Sequence, residues 1–444
     1  MGFVQVNFDG LVGPTHHYGG LSYGNIPSMS HRDTRSNPKQ AALQGLRKME
    51  TVAEYDVHQA VLPPAPRPDL RAAKRLGYSG SPEEVLSTLG RDDPSLLSAL
   101  SSASSMWAAN AAVTAPAPDT ESSQTHITPA NLVSTFHRSL EATWTESFFQ
   151  HLFDHPDVTV HERLPPNSEY RDEGAANHMR FSPGRDEPGL QVFVHGTETK
   201  QEQSTGFPAR QSAAASRALA RLHRIPDNRK FHVKQNSRVL EAGGFHNDLV
   251  AVGHRNVLFY HQQAYDSSSF AMKLKDRYQE LYGDEFYCLD VSSNHLDLDE
   301  AIESYLFNSQ IVSTDQGKMT LIAAEHVKNY SSARSVLESV VSGNNPIDDV
   351  RFVKLRQSMK NGGGPACLRL KTLLPESVLS DLAGSYLLDQ TLLEELKRCV
   401  KELYPDSLKI EDLENPDFYR SCKQIYHRLG KIFGIEQLYS KTLI

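Results

Sequence analysis

Helical and extended stretches alternate from one end of this 444-residue chain to the other, which confines it to the α/β class. Asn37-Pro38 offers a cap and a first-turn proline for a helix whose apolar residues Leu43, Leu46, Met49 and Val52 recur every three positions. Ser81-Pro82 opens another, with Val85 and Leu86 ahead of Gly90. Further helical patterns cover 213–222, 270–281, 298–306, 336–341 and 392–403, and short β-type runs cover 192–194, 257–260, 319–322 and 367–374. Segments 116–124 and 197–206 are polar and read as loops. No sequence repeat is visible, although a unit of strands plus one helix every ~80 residues would fit five times into this length. Length alone suggests about three domains of roughly 150 residues.

The charge balance narrows the partners. With 54 acidic against 46 basic residues, a net charge of −8 and no basic block, neither nucleic acid nor an anionic membrane is expected as the main partner. No apolar run has the length to span a bilayer, and the first residues lack a charged start followed by an apolar stretch, so a cytoplasmic protein is expected. Cys288, Cys367, Cys399 and Cys422 form no CxxC pair, which indicates neither a zinc knuckle nor a disulfide framework. Cys288, in an aromatic stretch, and Cys399 and Cys422, in helical patterns, read as structural.

Cys367 differs. It follows Asn361-Gly362-Gly363-Gly364-Pro365-Ala366, and three glycines let a backbone press against a ligand just before the chain becomes extended. On a strand starting there, Leu368 and Leu370 would face a core while Cys367, Arg369 and Lys371 share the other face, where two cations favour thiolate, the nucleophilic form. The same segment also reads as a glycine-rich turn with an incidental cysteine. A second stretch, Gly243 to Val252, would if extended from Phe245 send His246 and Asp248 to one face about 7 Å apart. That pair reads either as a site or as two groups satisfying each other. Glu173, in Asp172-Glu173-Gly174-Ala175-Ala176, is flanked by small residues that allow close approach, and Asn110 puts an amide into an apolar setting where it needs a partner. His137, Arg138, Arg210 and the segment Gly19, Gly20, Leu21, Ser22, Tyr23, Gly24 and Asn25, which runs on into Ile26, Pro27 and Ser28, offer guanidinium forks and, from Gly19 to Asn25, backbone amides for an anion. His16, His17 and His261 raise the question of a metal, but nothing has HExxH or CxxC-type spacing, and neither metal nor cofactor is expected.

Several blocks in one order give these pieces a common meaning: Val6 to Tyr18, Phe136 to Glu141, Asp172 to His178, Phe245 to Asp248, Tyr305 to Gln310 and Asn361 to Arg369. Together they resemble the succinylarginine dihydrolases, a family of the guanidino-group-modifying (pentein) superfamily. The resemblance implies a single catalytic domain over 1–444, built as a five-bladed α/β propeller of pseudo-fivefold ββαβ modules around a central channel. It implies Cys367 as nucleophile, His246 as acid/base and Glu173 as third catalytic residue. Asp248, Asn110, His137, Arg138, Arg210, Asn361 and the Gly19 to Ser28 loop fall at substrate-binding positions, and a homodimer acting on a small molecule is expected. The rivals are an arginine deiminase-like enzyme or amidinotransferase, a metal-dependent amidohydrolase using His16, His17, His246, Asp248 and Glu173, and a non-catalytic binder of arginine derivatives.

Overall fold

Five three-stranded sheets account for the strands, and all five repeat one design. A central strand pairs antiparallel with one neighbour and, after a helical crossover, parallel with the other. The structure is a computed structural model that describes residues 2–198, 206–314 and 317–442. In chain order the sheets centre on Phe3–Gly10, Thr125–Pro129, Leu190–His195, Val257–His261 and Met319–Ala324. Four of them take their antiparallel strand from just upstream: Ala112–Ala115, His178–Phe181, Ala251–His254 and Gln310–Ser313. The first takes it from the far end of the chain, where Arg369–Pro375 pairs with Phe3–Gly10 in the register Asp9 to Arg369 and Phe3 to Pro375. The molecule is therefore a closed five-bladed α/β propeller, the pentein arrangement.

The blades are shorter than an even division of the chain into fifths, since their innermost strands begin at 112, 178, 251, 310 and 369. The remainder goes into helices at the two chain ends. Leu396, Cys399 and Val400 of Gln390–Leu403 and Cys422, Ile425 and Leu429 of Pro416–Phe433 share one core with Leu46 and Met49 of Pro38–Val52. Burial in that core explains two of the structural cysteines.

Local signals act as anticipated. Asn37 Oδ1 accepts from the Gln40 amide at 2.8 Å with Pro38 in the first turn. Ser81 and Glu84 close a capping box before Pro82–Asp92. The helices Ala213–Leu222, Phe270–Tyr282, Leu298–Ser304, Ser331–Ser342 and Gln390–Leu403 fall on the five later helical patterns. The polar segment 116–124 holds a short helical turn at Ala117–Asp119. Of segment 197–206, residues 199–205 lie outside the described residues.

Between the second and third blades, His126, His161 and His223 stack, His126 on His161 at 5.0 Å and His161 on His223 at 5.7 Å between ring centroids. Burial lowers all three pKa values, that of His126 to about 4, and the neighbouring imidazoles add to the effect on His126 and His223. Below pH 6.5 the unfolded chain therefore binds protons that the folded one refuses, and stability is lost as pH falls toward 4. Thermal unfolding should show a melting temperature that drops between pH 7 and pH 5, and drops less in His126→Gln.

Candidate active site

At one end of the innermost strands, the turns that precede them converge. Ala366, Cys367 and Leu368 sit in the turn before Arg369–Pro375, so the cysteine is not the strand's first residue as the alternation suggested. Leu368 and Leu370 are buried as expected. The glycines ahead of Cys367 have separate reasons. Gly362 is left-handed, with φ of +94°, and a Cβ there would run into the Asn25 amide. A Cβ on Gly364 would come within 2.6 Å of Asn308 Oδ1.

His246 and Asp248 are not on one face of a strand. Asn247–Leu249 forms a helical turn, and the strand starts only at Ala251. The Asn247 amide donates to Asn177 Oδ1 at 2.9 Å, and Tyr265 Oη donates to Asn247 Oδ1 at 3.1 Å. These tertiary bonds hold a turn where the sequence pattern reads as extended. The outcome is two different partners. His246 Nε2 lies 3.1 Å from Glu173 Oε2, whereas Cys367 Sγ donates to Asp248 Oδ2 at 3.4 Å.

Two more bonds close a ring. Asn110 Nδ2 donates to the Glu173 carbonyl at 2.6 Å, and the Ala109 amide donates to the Cys367 carbonyl at 3.1 Å. Cys367, Asp248, His246, Glu173 and Asn110 thus form one buried circuit drawn from four turns. Glu173 Oε1 and Asp248 Oδ1 are buried in it without a hydrogen-bond partner in the protein.

The electrostatics are uneven around the circuit. Burial opposes ionisation of Glu173, but the hydrogen bond and charge of His246, with Arg210 and Arg138 beyond, hold its pKa at about 2. Burial raises the pKa of Asp248. Burial and then the Asp248 carboxylate push the Cys367 thiol well above its usual 9, against the expectation that Arg369 and Lys371 would favour thiolate.

The anion-binding candidates lie beside this circuit. Ser22 Oγ is 3.4 Å from His137 Nε2, in the first turn of Phe136–Leu152. Arg138 is engaged by Glu141 and lies over the Trp107 ring, 5.4 Å from its centroid. Arg210 donates to the Tyr23 carbonyl at 3.0 Å and covers Phe245 at 4.0 Å. The next residue, Gln211, accepts from the Glu173 amide at 2.8 Å. In the 19–28 loop, Asn25 caps the short helix Ile26–Ser30, Ser28 Oγ donates to Asn361 Oδ1 at 3.3 Å, and Tyr23 and Ile26 are exposed. Asn361 also donates to the His17 carbonyl at 3.2 Å. His16 and His17 join no metal-holding cluster with His246, Asp248 and Glu173, and no group of three such side chains does so among the described residues.

One member was missed. Asn308 Nδ2 donates to Cys367 Sγ at 3.2 Å and lies 3.4 Å from the Asp248 carbonyl. Its place in the Tyr305 to Gln310 block was the available signal.

The model of the family described as succinylarginine dihydrolase matches residues 3–441. An N-succinylarginine dihydrolase of Yersinia enterocolitica is 41% identical over 442 residues, 99% of each chain. Another, from Pseudoalteromonas translucida, is 40% identical over 445 residues, again 99% of each. Among solved structures, the product-bound N-terminal domain of ArgZ, an arginine dihydrolase from the ornithine-ammonia cycle in cyanobacteria, superposes with a TM-score of 0.50 at 15% identity, covering 83% of this chain and 97% of that one. It shares the fold.

Because the thiol pKa is raised, inactivation by a neutral alkylating agent should be slow at pH 7 and accelerate through and beyond pH 9. Asn308→Ala removes the donor that favours thiolate and should slow alkylation a further ten- to hundredfold, roughly the 1.5–3 kcal/mol of a hydrogen bond to a charged group. An unchanged alkylation profile in that variant would show that Asn308 has no hold on the sulfur.

Proposed function

The chain belongs to the succinylarginine dihydrolase family, and from that premise we propose that it converts N2-succinyl-L-arginine and two waters to N2-succinyl-L-ornithine, two ammonia and carbon dioxide, with Cys367, His246 and Glu173 as the catalytic residues. The observation that carries the assignment of roles is the pair of unpartnered carboxylate oxygens, Glu173 Oε1 and Asp248 Oδ1, in a circuit that includes the thiol. An unmet buried acceptor costs about 1–3 kcal/mol, and a guanidinium supplies the missing N–H donors together with a positive charge.

A guanidinium carbon is a weak electrophile because its charge is shared by three nitrogens. The site answers with position and charge. Bound between Glu173 and Asp248, the cation takes over the Asp248 oxygen to which the thiol donates and lowers the cost of a thiolate. Cys367 Sγ, its proton passed to His246, then bonds to the carbon, the bond to one terminal nitrogen breaks, and His246 gives that nitrogen the proton so that it leaves as ammonia. His246 next takes a proton from water, whose oxygen bonds to the same carbon and releases the sulfur, leaving a ureido group. The second round repeats attack and loss of ammonia at the ureido carbon. Water then frees an N-carboxylate, which loses carbon dioxide to give the ornithine amine.

Asn110 suits both rounds. Its amide both donates and accepts, so it tolerates a cationic guanidinium and a neutral ureido group, whereas a carboxylate can only accept. Arg138, Arg210 and His137 are the partners for the carboxylates at the other end of the substrate, with the 19–28 loop and Asn361 closing over them. Residues 1–444 act as one catalytic unit, working in the cytoplasm as a homodimer; among the described residues no helix is long and apolar enough to cross a membrane.

Mass spectrometry of the products from succinylarginine, arginine and agmatine, beside an ammonia count, tests the assignment. Two ammonia per succinylarginine are expected, and none from Cys367→Ser; a single ammonia would make the protein a deiminase. Asn110→Asp should shift the product from succinylornithine toward succinylcitrulline. Undiminished succinylornithine from that variant would remove Asn110 from the second round.

A further inference from the structure

Behind the catalytic turns the propeller axis is hollow. A cavity of about 220 Å3 has as its inner end Ala109, Ala175 and Ala366, each directly next to Asn110, Ala176 or Cys367 in the chain, together with Asp248. Its wall takes residues from the innermost strand of every blade, among them Thr114, His178, His254, Ser313 and Lys371. The outer end is marked by Asp56, Arg185 and Arg255.

The charges on this wall do not cancel. Arg180 is held by Asp119 and Arg185 by Asp56. Arg255 has only the Pro183 carbonyl, at 3.0 Å. Arg369 makes no side-chain hydrogen bond among the described residues, and its Nε is fully buried. Lys371 Nζ meets only His254 Nδ1, at 3.2 Å, while His254 Nε2 is bonded to Ser313 Oγ at 2.8 Å. Of the wall's acids, Asp56 is engaged by Arg185, and Asp248 is engaged by the thiol through Oδ2 alone. Among the described residues neither Arg369 nor Lys371 is ion-paired with a carboxylate: Asp9, bonded to Lys48, and Asp248 act on Arg369 only through their charge, and Lys371 faces the hollow without that help, so the pair calls for an anion.

We infer that the axial cavity is a seat for a small oxyanion, reached from the face of the propeller opposite the 19–28 loop, and that its occupant is bicarbonate formed by hydration of the carbon dioxide released at Cys367. The inference rests on the proposed reaction for its ligand and on the cavity alone for its anion chemistry. Planar oxyanions match the guanidinium fork of Arg369, with the Lys371 ammonium as a second contact. Surrounded by burial and by Arg369 and Arg180, Lys371 has a pKa well below the usual lysine value, a condition that an arriving anion relieves.

The test uses Cys367→Ser protein, which cannot turn over, titrated with carbon-13 bicarbonate and observed by saturation-transfer NMR. Saturable binding is expected, weaker by about tenfold or more when Lys371→Met is added and retained with Lys371→Arg, a loss in the range of one charge-assisted contact. Melting temperatures of the variants guard against misfolding. In the active enzyme, bicarbonate should lower kcat and leave KM for succinylarginine unchanged, while chloride at equal ionic strength changes neither constant. No saturable binding, equal binding in Lys371→Met, a seat that accepts nitrate but not bicarbonate, or a rise in KM with kcat unchanged would overturn the inference. Should the active protein leave succinylarginine untouched while bicarbonate still binds through Lys371, the substrate assignment falls and the anion seat stands.

Discussion

A carboxylate facing a thiol in a dry pocket is the constraint on which the site depends. Asp248 and Cys367 are both buried, and burial raises the pKa of each; the carboxylate then makes the thiol harder still to ionise, while the thiol's hydrogen bond eases ionisation of the carboxylate. Left alone, the pair keeps the sulfur in its thiol form. In the proposed reaction it becomes reactive at neutral pH when a cation enters, one that is flat and carries several N–H donors. Specificity and activation are then one event. The binding energy of the correct headgroup is also what generates the nucleophile.

The circuit around that pair is built by repetition. Each blade starts its inner strand at the same end of the axis, so the preceding turns of all five blades meet there, and each contributes a side chain. The blade of Ala112–Ala115 sends Asn110, that of His178–Phe181 sends Glu173, that of Ala251–His254 sends His246 and Asp248, that of Gln310–Ser313 sends Asn308, and that of Arg369–Pro375 sends Cys367. Five similar positions carry amides, carboxylates, an imidazole and a thiol. The backbone bonds between turns, such as Ala109 to Cys367, keep the spacing fixed while the side chains diverge.

How much of this could be read beforehand depends on whether the cause was local. Asn37 and Ser81 cap helices through bonds to residues three positions away, and periodic apolar residues bury the face they define, so those elements were legible. Glu173, His246 and Cys367 were legible through their motifs. The turn at Asn247–Leu249 was not, because Asn177 and Tyr265 hold it from distant parts of the chain. The state of the thiol was misjudged for a related reason. Arg369 and Lys371 are close in sequence, but burial and Asp248 outweigh them, and Asp248 is a neighbour only after folding. Asn308 escaped notice because nothing local marks an asparagine whose partner is a sulfur 59 positions away.

The pairing of Arg369–Pro375 with Phe3–Gly10 has a temporal consequence. Contacts between such distant parts of a chain form late, since the loop entropy of bringing the ends together must first be overcome. Cys367 lies in the turn that leads into the strand that shuts the ring, so its sulfur reaches Asp248 and Asn308 only when the rest of the wheel is assembled. A chain cut short before residue 369 keeps the turns of the other four blades and lacks the strand that closes them into a circle, so the last part made is the keystone.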